Sequence, residues 1–366
     1  MARNLVICCD GTANEFKKDR TNVLKLAFAA VKDRDDQLVY YHPGVGTMAP
    51  PGLFTGIGKW VARLAGKAFG YGLENDIRDI YTYIINNYRP GDDLYIFGFS
   101  RGAYTARAVT ALLEGYGLLA AGNDALVPYA IRLLWRYNET TDADAKAAWF
   151  KLTREFKGAL SSGDCVVRFL GLWDTVSSVG WFANPLSLPW THKLPNVRTV
   201  RHAVAIDERR AFFRTNLVEL DPARDVQEVW FPGVHCDVGG GYPEEESQLA
   251  KIPLQWMIDQ ARGAGMRFDP SRVELVLGRK DGEYVAADPT APMHKSMSPY
   301  WWPAEFVLKK HWNQITRRSE WKPNLFRRRH FSITPCIDDS AWARGAEYLA
   351  RLPTDRIKRS DLERSK

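Results

Sequence analysis

The sequence predicts an α/β fold in which helices cover both faces of a mostly parallel sheet. Short apolar runs that end in turn residues predict strands buried on both faces, and they occur at residues 5–9, 38–42, 94–97, 165–173 and 226–231. Helical patterns separate them, at 22–31, 73–88, 102–119, 129–150 and 197–215. Strands that alternate with helices of this length are joined by crossover connections and therefore run parallel.

The composition supports a folded globular chain. It has 366 residues, of which 45% are hydrophobic and 25% charged, and these proportions exclude disordered and fibrous classes. No run approaches the roughly 18 uninterrupted apolar residues of a membrane span. The first apolar stretch is too short for the core of a signal peptide and ends on Asp10, so we expect a cytoplasmic protein.

The cysteines argue against a disulfide framework and against a zinc site. Their number is odd and they form no C-x-x-C pair, which predicts reduced thiols. We expect no cofactor. They are Cys8, Cys9, Cys165, Cys236 and Cys336.

Two stretches depart from the alternation of strands and helices. Residues 52–72 place apolar side chains such as Trp60 at helical spacing, with basic residues such as Lys67 on the other side. This amphipathic pattern predicts a lid helix, with an ordinary covering helix as the alternative. From about residue 288, Pro, Trp and basic residues prevail, which predicts a main domain at 1–287 and a short C-terminal appendage at 288–366.

A basic and aromatic segment lies within that appendage. Residues 309–329 contain eight basic residues against Glu320 alone, and this local excess equals the net charge of +7 of the whole chain. Tryptophans and phenylalanines lie in and just before it: Trp301, Trp302, Phe306, Trp312, Trp321 and Phe326. This mixture favours contact with anionic lipid headgroups or nucleic acid, and a solvated surface is the alternative.

The sharpest motif is the sequence from Gly98 to Gly102, Gly-Phe-Ser-Arg-Gly. It stands at the end of a predicted strand and opens a predicted helix, which is the setting that a nucleophile elbow requires. The two glycines allow the tight turn that lifts the Ser100 hydroxyl above the sheet. We therefore expect Ser100 to be a nucleophile, with a buried helix-capping serine as the alternative.

An acid and a base follow in the chain order that such a serine needs. Asp174 comes directly after the strand at 165–173, and His235 lies on a glycine-rich loop after the strand at 226–231. In parallel sheets, active-site residues lie just past the carboxyl ends of strands. We expect Asp174 and His235 to activate Ser100. Asp237 remains a rival acid, His202 a rival base on a helical pattern, and a structural role for His235 stays open.

An oxyanion hole needs two backbone amides aimed at one point. The amide of Arg101 follows the nucleophile at a helix N-terminus, and Gly11 and Thr12 follow the first strand. Asp10 and Asn14 are expected to hold that loop by side-chain hydrogen bonds to the backbone. A role for these two side chains as metal ligands, together with Asp174 or Asp237, is the weaker alternative.

Six blocks occur in order along the first two thirds of the chain. They are CDGTAN (9–14), TNV (21–23), GFSRGAYTAR (98–107), LGLWDTV (170–176), RHAVAIDERR (201–210) and FPGVHCDVGGGY (231–242). Together they resemble the α/β-hydrolase family that includes the catalytic domain of type VI secretion phospholipase effectors. The resemblance implies an α/β-hydrolase fold and a lipid esterase, whose triad positions match Ser100, Asp174 and His235.

These observations predict a serine hydrolase that cleaves carboxylic esters through an acyl-enzyme, with a phospholipid or another lipid ester as substrate. The alternative is a catalytically idle hydrolase fold that binds anionic membrane or nucleic acid. An anionic membrane surface is the favoured partner beside the substrate, and nucleic acid is disfavoured. No phosphate-binding G-x-x-x-x-G-K-[ST] loop occurs, which argues against nucleotide hydrolysis. Export by a type VI system stays open.

Overall fold

The structure is a computed structural model, and it describes residues 2–11, 20–44, 68–140, 142–176, 180–181, 184–185, 188–280, 282–313, 318–331, 335–354 and 362–364. The predicted lid at 52–72 lies outside these ranges except for its last residues, which begin a helix at Ala68. Thr12 and Asn14 also lie outside them.

Helices separate the strands up to residue 160, whereas the described elements from 161 to 231 are all strands. The strands are β1 Asn4–Cys9, β2 Gln37–His42, β3 Asp93–Phe99, β4 Leu118–Leu119, β5 Ser161–Gly163, β6 Val167–Trp173, β7 Gly180–Trp181, β8 Asn184–Pro185, β9 Val197–Ala205, β10 Asp225–Phe231, β11 Lys309–Asn313, β12 Arg318–Lys322, β13 Cys336–Ile337 and β14 Glu363–Arg364. The helices are α1 Asn22–Ala29, α2 Ala68–Asn87, α3 Arg101–Tyr116, α4 Val127–Arg136, α5 Ala143–Leu160, α6 His235–Gly239, α7 Lys251–Gly263, α8 Pro270–Val276, α9 Trp302–Glu305, α10 Ser340–Ala343 and α11 Gly345–Ala350.

One sheet dominates the part of the chain that the structure describes. Eight strands form it in the order β14-β13-β10-β9-β6-β3-β1-β2, and each neighbouring pair is parallel. This architecture confirms the predicted α/β class with a mostly parallel sheet. It accounts for the apolar runs, because a central parallel strand has no face left for solvent.

Helices cover both faces of the sheet. Alternate residues of a strand point to opposite faces, and β1 shows this directly: Leu5 and Ile7 belong to one core cluster, Val6 and Cys8 to another. Helices α2 to α5 contribute to the first cluster, and α1, α7 and α8 to the second. The sheet is therefore the middle of three layers.

Two helix predictions differ from the structure. Residues 197–215 do not form a helix, since β9 spans Val197–Ala205 and pairs with β6 on one side and β10 on the other. Hydrogen bonding to a strand on each side outweighs the local spacing of apolar residues, which resembles that of a helix. The pattern at 129–150 covers two helices, and Asp142 begins the second by accepting a hydrogen bond from the Ala145 amide at 2.7 Å.

The C-terminal segment joins the same fold. β13 pairs with β10, so residues beyond 287 extend the main sheet. Phe331, Ile337 and Tyr348 pack in a third core cluster with Val204 and Trp230 of the sheet. Within the described residues, no helix is both long enough and apolar enough to cross a membrane.

Strand register brings the predicted site residues to one edge of the sheet. Phe99 at the end of β3 pairs with Trp173 at the end of β6, and Trp173 pairs with Ala203 of β9. Ala205, at the end of β9, pairs with Phe231 at the end of β10. The segments that follow β3, β6 and β10 therefore leave the sheet at the same edge.

Candidate active site

Ser100 occupies the turn between β3 and α3 with an unusual backbone conformation. Its φ is 59° and its ψ is −119°, a region that residues other than glycine rarely adopt. Its amide donates to the carbonyl of Trp173 at 3.0 Å, which ties the turn to the end of β6. A strained turn between a strand and a helix is the backbone conformation that the predicted nucleophile elbow requires.

The two glycines of the motif make this turn sterically feasible. A Cβ on Gly98 would lie 2.5 Å from the carbonyl oxygen of Gly102, and a Cβ on Gly102 would lie 2.2 Å from that of Cys9. Real Cβ atoms essentially never make contacts so short. Helix α3 thus packs against the ends of β1 and β3 only because both positions lack side chains.

Asp174 and His235 form a buried pair at the same edge. The Nδ1 atom of His235 lies 2.5 Å from Oδ2 of Asp174, and both side chains are almost completely buried. The imidazole stacks on Phe99 at 4.6 Å between ring centroids and meets Phe213 edge-on at 4.8 Å. Phe99 directly precedes Ser100, so the predicted base packs on the residue before the predicted nucleophile.

Asp174 accepts further hydrogen bonds that hold its carboxylate in place. The Ala205 amide donates to Oδ1 at 3.0 Å. Arg329 donates to both oxygens, from Nη1 to Oδ1 at 2.5 Å and from Nη2 to Oδ2 at 3.0 Å. The prediction that Arg329 belongs to a basic surface segment is therefore wrong, because its side chain is buried against Asp174.

These contacts set the charge states of the pair. Burial alone would raise the pKa of Asp174, but the Arg329 guanidinium and the hydrogen bond to His235 outweigh it and hold that pKa well below its ordinary value. Burial lowers the pKa of His235 in spite of the opposing effect of Asp174. The arrangement therefore favours a carboxylate beside a neutral imidazole, which is the state that can accept a proton.

The rival residues have structural contacts. His202 is fully buried in β9, where its Nδ1 lies 3.0 Å from Oε2 of Glu228 and its Nε2 accepts from the Thr175 amide at 3.2 Å. Asp237 accepts from the Val234 amide at 2.9 Å and lies 2.6 Å from Nδ1 of His294. His202 thus supports the segment after Asp174, and Asp237 supports the loop of His235.

The structure describes only part of the predicted oxyanion hole. Arg101 begins α3, where first-turn amides lack partners within the helix. The Gly11 amide donates to Oδ1 of Asp10 at 2.6 Å, so a role in binding an oxyanion would require this bond to be exchanged. The bond from the Gly11 amide is of the side-chain to backbone kind predicted for Asp10, and Oδ2 of Asp10 also accepts from the hydroxyls of Thr21 and Tyr41.

The weaker alternative for Asp10 and its neighbours is a metal site. The described residues contain no group of three or more His, Cys, Asp or Glu side chains that is placed to hold a metal ion.

Glu208 is a site residue that the sequence motifs leave without a role, although it lies in the block at 201–210. It accepts from the His235 amide at 3.3 Å and pairs with Arg210 at 2.8 Å. Burial opposes its charge, but the Arg210 guanidinium lowers the pKa of Glu208 to about 2. Arg210 in turn covers the Phe213 ring at 3.7 Å, so this ion pair supports the wall behind the imidazole.

Comparison with known proteins identifies relatives of parts of the chain. The uncharacterized protein YEL023C of Saccharomyces cerevisiae is 32% identical over 219 residues, which are 58% of this chain and 32% of that protein. The crystal structure of an uncharacterized protein from Pseudomonas aeruginosa matches at 21% identity with a TM-score of 0.46, over 79% of this chain and 49% of that one.

A second solved structure is that of the Tle1 effector bound to the VgrG spike from the type 6 secretion system. It matches at 21% identity with a TM-score of 0.37, over 68% of this chain and 53% of that one. The chain thus spans about half the length of these two structures and about a third of the yeast protein.

A match to a protein family covers well over half of the chain. Residues 3–260 match the family described as T6SS, phospholipase effector Tle1-like, catalytic domain. The matched range contains Ser100, Asp174 and His235, and it confirms the resemblance noted from the six sequence blocks. The chain belongs to the family of Tle1-like type VI secretion phospholipase effector catalytic domains.

Proposed function

We propose that the protein is a serine hydrolase that cleaves a carboxylic ester of glycerophospholipids through an acyl-enzyme. The observation that carries this proposal is the convergence of three features at one sheet edge. They are the strained turn at Ser100, the buried Asp174–His235 pair, and the stacking of His235 on the residue before Ser100. Membership in a phospholipase effector family supports a lipid as the substrate.

In the proposed reaction, the hydroxyl oxygen of Ser100 attacks the ester carbonyl carbon while Nε2 of His235 takes the hydroxyl proton. Asp174 accepts the hydrogen bond from Nδ1 and stabilises the imidazolium that forms. The tetrahedral intermediate collapses and His235 returns the proton to the departing alcohol, which leaves as a lysophospholipid. Water then attacks the acyl-enzyme with His235 as base, releases the fatty acid and restores Ser100.

The alternative function is a hydrolase fold that binds a surface without catalysis, and a serine-directed probe separates the two. A fluorophosphonate reacts only with an activated serine, so we expect it to label the native protein and leave Ser100→Ala unlabelled. Mass spectrometry of phospholipid extracts before and after incubation should then show lysophospholipid and free fatty acid in equal amounts. A protein that neither reacts with the probe nor changes the extract would contradict the proposed function.

We also propose that the enzyme docks on anionic membranes through an exposed aromatic patch. The patch comprises large apolar side chains that are each 41 to 69% exposed: Tyr300, Trp302, Phe306, Val307, Leu308, Trp321 and Leu325. Seven such side chains within residues 300–325 differ from the singly scattered apolar residues of ordinary surfaces, and we take them as one binding patch. The surrounding sequence supplies the basic residues of 309–328, which suit anionic headgroups.

The patch is connected to the site by ring contacts. Trp301, which the sequence places among the aromatics of the basic segment, is buried beside Trp302 and contacts Phe213 edge-on at 5.5 Å. Phe213 contacts the His235 imidazole. A membrane bound at the patch would therefore lie close to the base, where a phospholipid can reach Ser100 after a short displacement from the bilayer.

Trp302→Ser combined with Phe306→Ser is expected to weaken binding to phosphatidylglycerol and phosphatidylcholine vesicles by roughly tenfold or more. Full burial of a large apolar side chain contributes about 1.5–3 kcal/mol, and about half of each of these two side chains is exposed and left to bury. Co-sedimentation at low salt measures the effect. Binding of the native protein should also weaken as salt rises, because charges are screened within about 10 Å at 0.1 M.

Tyr129→Ser combined with Leu152→Ser is the matched control, since it removes exposed apolar side chains from α4 and α5. Both double variants should hydrolyse a dispersed short-chain ester at the native rate. Equal vesicle binding by the two variants, or no binding of the native protein at low salt, would leave the patch without a role in docking.

A further inference from the structure

We propose that Arg329 is a positioning residue of the active site, which keeps Asp174 ionised and aimed at His235 through a two-point contact with its carboxylate. This inference rests on the proposed function, because it assigns a role in the same hydrolytic reaction. Arg329 comes from the C-terminal segment and is the fourth side chain of the site, beside the three that the sequence predicts.

The guanidinium is fixed in place by backbone atoms of the site. Nη1 donates to the carbonyl of Ala205 at 2.7 Å, and Nη2 donates to the carbonyl of Phe213 at 2.5 Å, in addition to the two bonds to Asp174. Ala205 ends β9, and Phe213 packs on the imidazole. A planar guanidinium that donates to four acceptors has little freedom to rotate. The two backbone carbonyls therefore fix the guanidinium, and the guanidinium fixes the orientation of the Asp174 carboxylate.

The two oxygens of Asp174 are shared in a way that orients the pair. Oδ1 accepts from the Ala205 amide and from Arg329, while Oδ2 accepts from Arg329 and faces Nδ1 of His235. Rotation of the carboxylate would break the contacts to Arg329 and to Ala205 together. The imidazole therefore meets a carboxylate that has one favoured orientation.

Charge gives the second part of the role. Asp174 is fully buried, and a buried carboxylate without a cation is costly enough to take up a proton instead. Among the described residues, the charged or titratable groups facing the pair are Arg329 beside Asp174, with Glu208, Arg210 and Cys236 around His235. Arg210 is itself paired with Glu208, so the direct counter-charge of Asp174 is Arg329.

The test compares three variants on p-nitrophenyl butyrate as a function of pH. Arg329→Met removes the cation and keeps much of the side-chain volume. We expect kcat to fall about 100- to 10,000-fold, with KM changed less than about threefold. We also expect the acidic limb of the pH–rate profile to move up by about one pH unit or more, because loss of a nearby cation raises the pKa of Asp174 and of the linked imidazole.

Arg329→Lys retains the charge but not the fork. We expect its acidic limb to stay within about 0.3 pH units of the native one, and its kcat to lie between those of the native protein and Arg329→Met. Arg279→Met is the matched control. Arg279 is exposed, follows α8 and pairs with Glu274 at 3.1 Å, so removal of its charge should change neither kcat nor the limb.

The outcomes separate positioning from a merely structural role. A lower kcat with an unmoved limb in folded Arg329→Met, or native kcat in that variant, would overturn the proposal. If Arg329→Met does not fold, Arg329→Lys decides, because native kcat there would show that the two-point contact is dispensable. Failure of the proposed function is distinct, since the native protein would then not react with a fluorophosphonate.

Discussion

Ser100→Ala is expected to lower the hydrolysis of a short-chain chromogenic ester by about ten-thousandfold or more, because the attacking oxygen is lost while the elbow remains. The rate constant at saturating ester measures the loss. The substitution removes only one hydroxyl group, so the circular dichroism spectrum and the thermal midpoint should stay close to those of the native protein.

Ser340→Ala provides the control for this change. Ser340 is also buried, but it follows β13, and three strands of the sheet lie between β13 and β3, which carries Ser100 at its end. It should keep native activity. If Ser100→Ala retains most of its activity, then the attacking group is another residue and the proposed mechanism is wrong.

His235→Ala is expected to be about as damaging as the serine change, since without a base the hydroxyl is a poor nucleophile. The double variant with Ser100→Ala should lose little more than either single variant, because the two residues act as one unit. Rate constants of the two single variants and the double variant test this. A strictly multiplicative loss would show that the residues act independently.

His202→Ala distinguishes the base from its rival. Nδ1 of the buried His202 lies 3.0 Å from Oε2 of Glu228, and Nε2 accepts from the Thr175 amide. Removal of the imidazole takes these hydrogen-bond partners away from Glu228 and Thr175. We expect a loss of about 1–3 kcal/mol in the free energy of unfolding, with a much smaller effect on the rate than His235→Ala. A stable but inactive His202→Ala protein, together with an active His235→Ala protein, would reverse the assignment of the base.

The sheet is largely predictable because its strands are buried on both faces. A short apolar run closed by turn residues, such as that of β1, is typical of a central parallel strand. Strand β9 is not predictable in this way, because apolar and polar residues alternate unevenly at its start, as in Val197 and Val200 with Arg198 between them. Pairing with β6 and β10 decides its conformation, and that information lies elsewhere in the chain.

The positions of Ser100, Asp174 and His235 are predictable from the same rule, since each follows the end of a predicted strand. Arg329 and Glu208 are not. A basic residue in a run of basic residues gives no local sign that it is buried, and only the packing of the C-terminal segment on the sheet places Arg329 beside Asp174. The one sequence clue is indirect, since a buried Asp174 would require a cation.

The position of Arg329 along the chain also sets an order of events during synthesis. It is translated 155 residues after Asp174, which at about 5–20 residues per second corresponds to roughly 8–30 s. Throughout that interval the nascent chain already holds the nucleophile and acid, but not the cation that the acid requires. Under the proposed role of Arg329, a polypeptide released early, before residue 329, is a poor hydrolase. The protein would thus become able to attack lipids only after residue 329 has been synthesised and its segment has packed on the sheet.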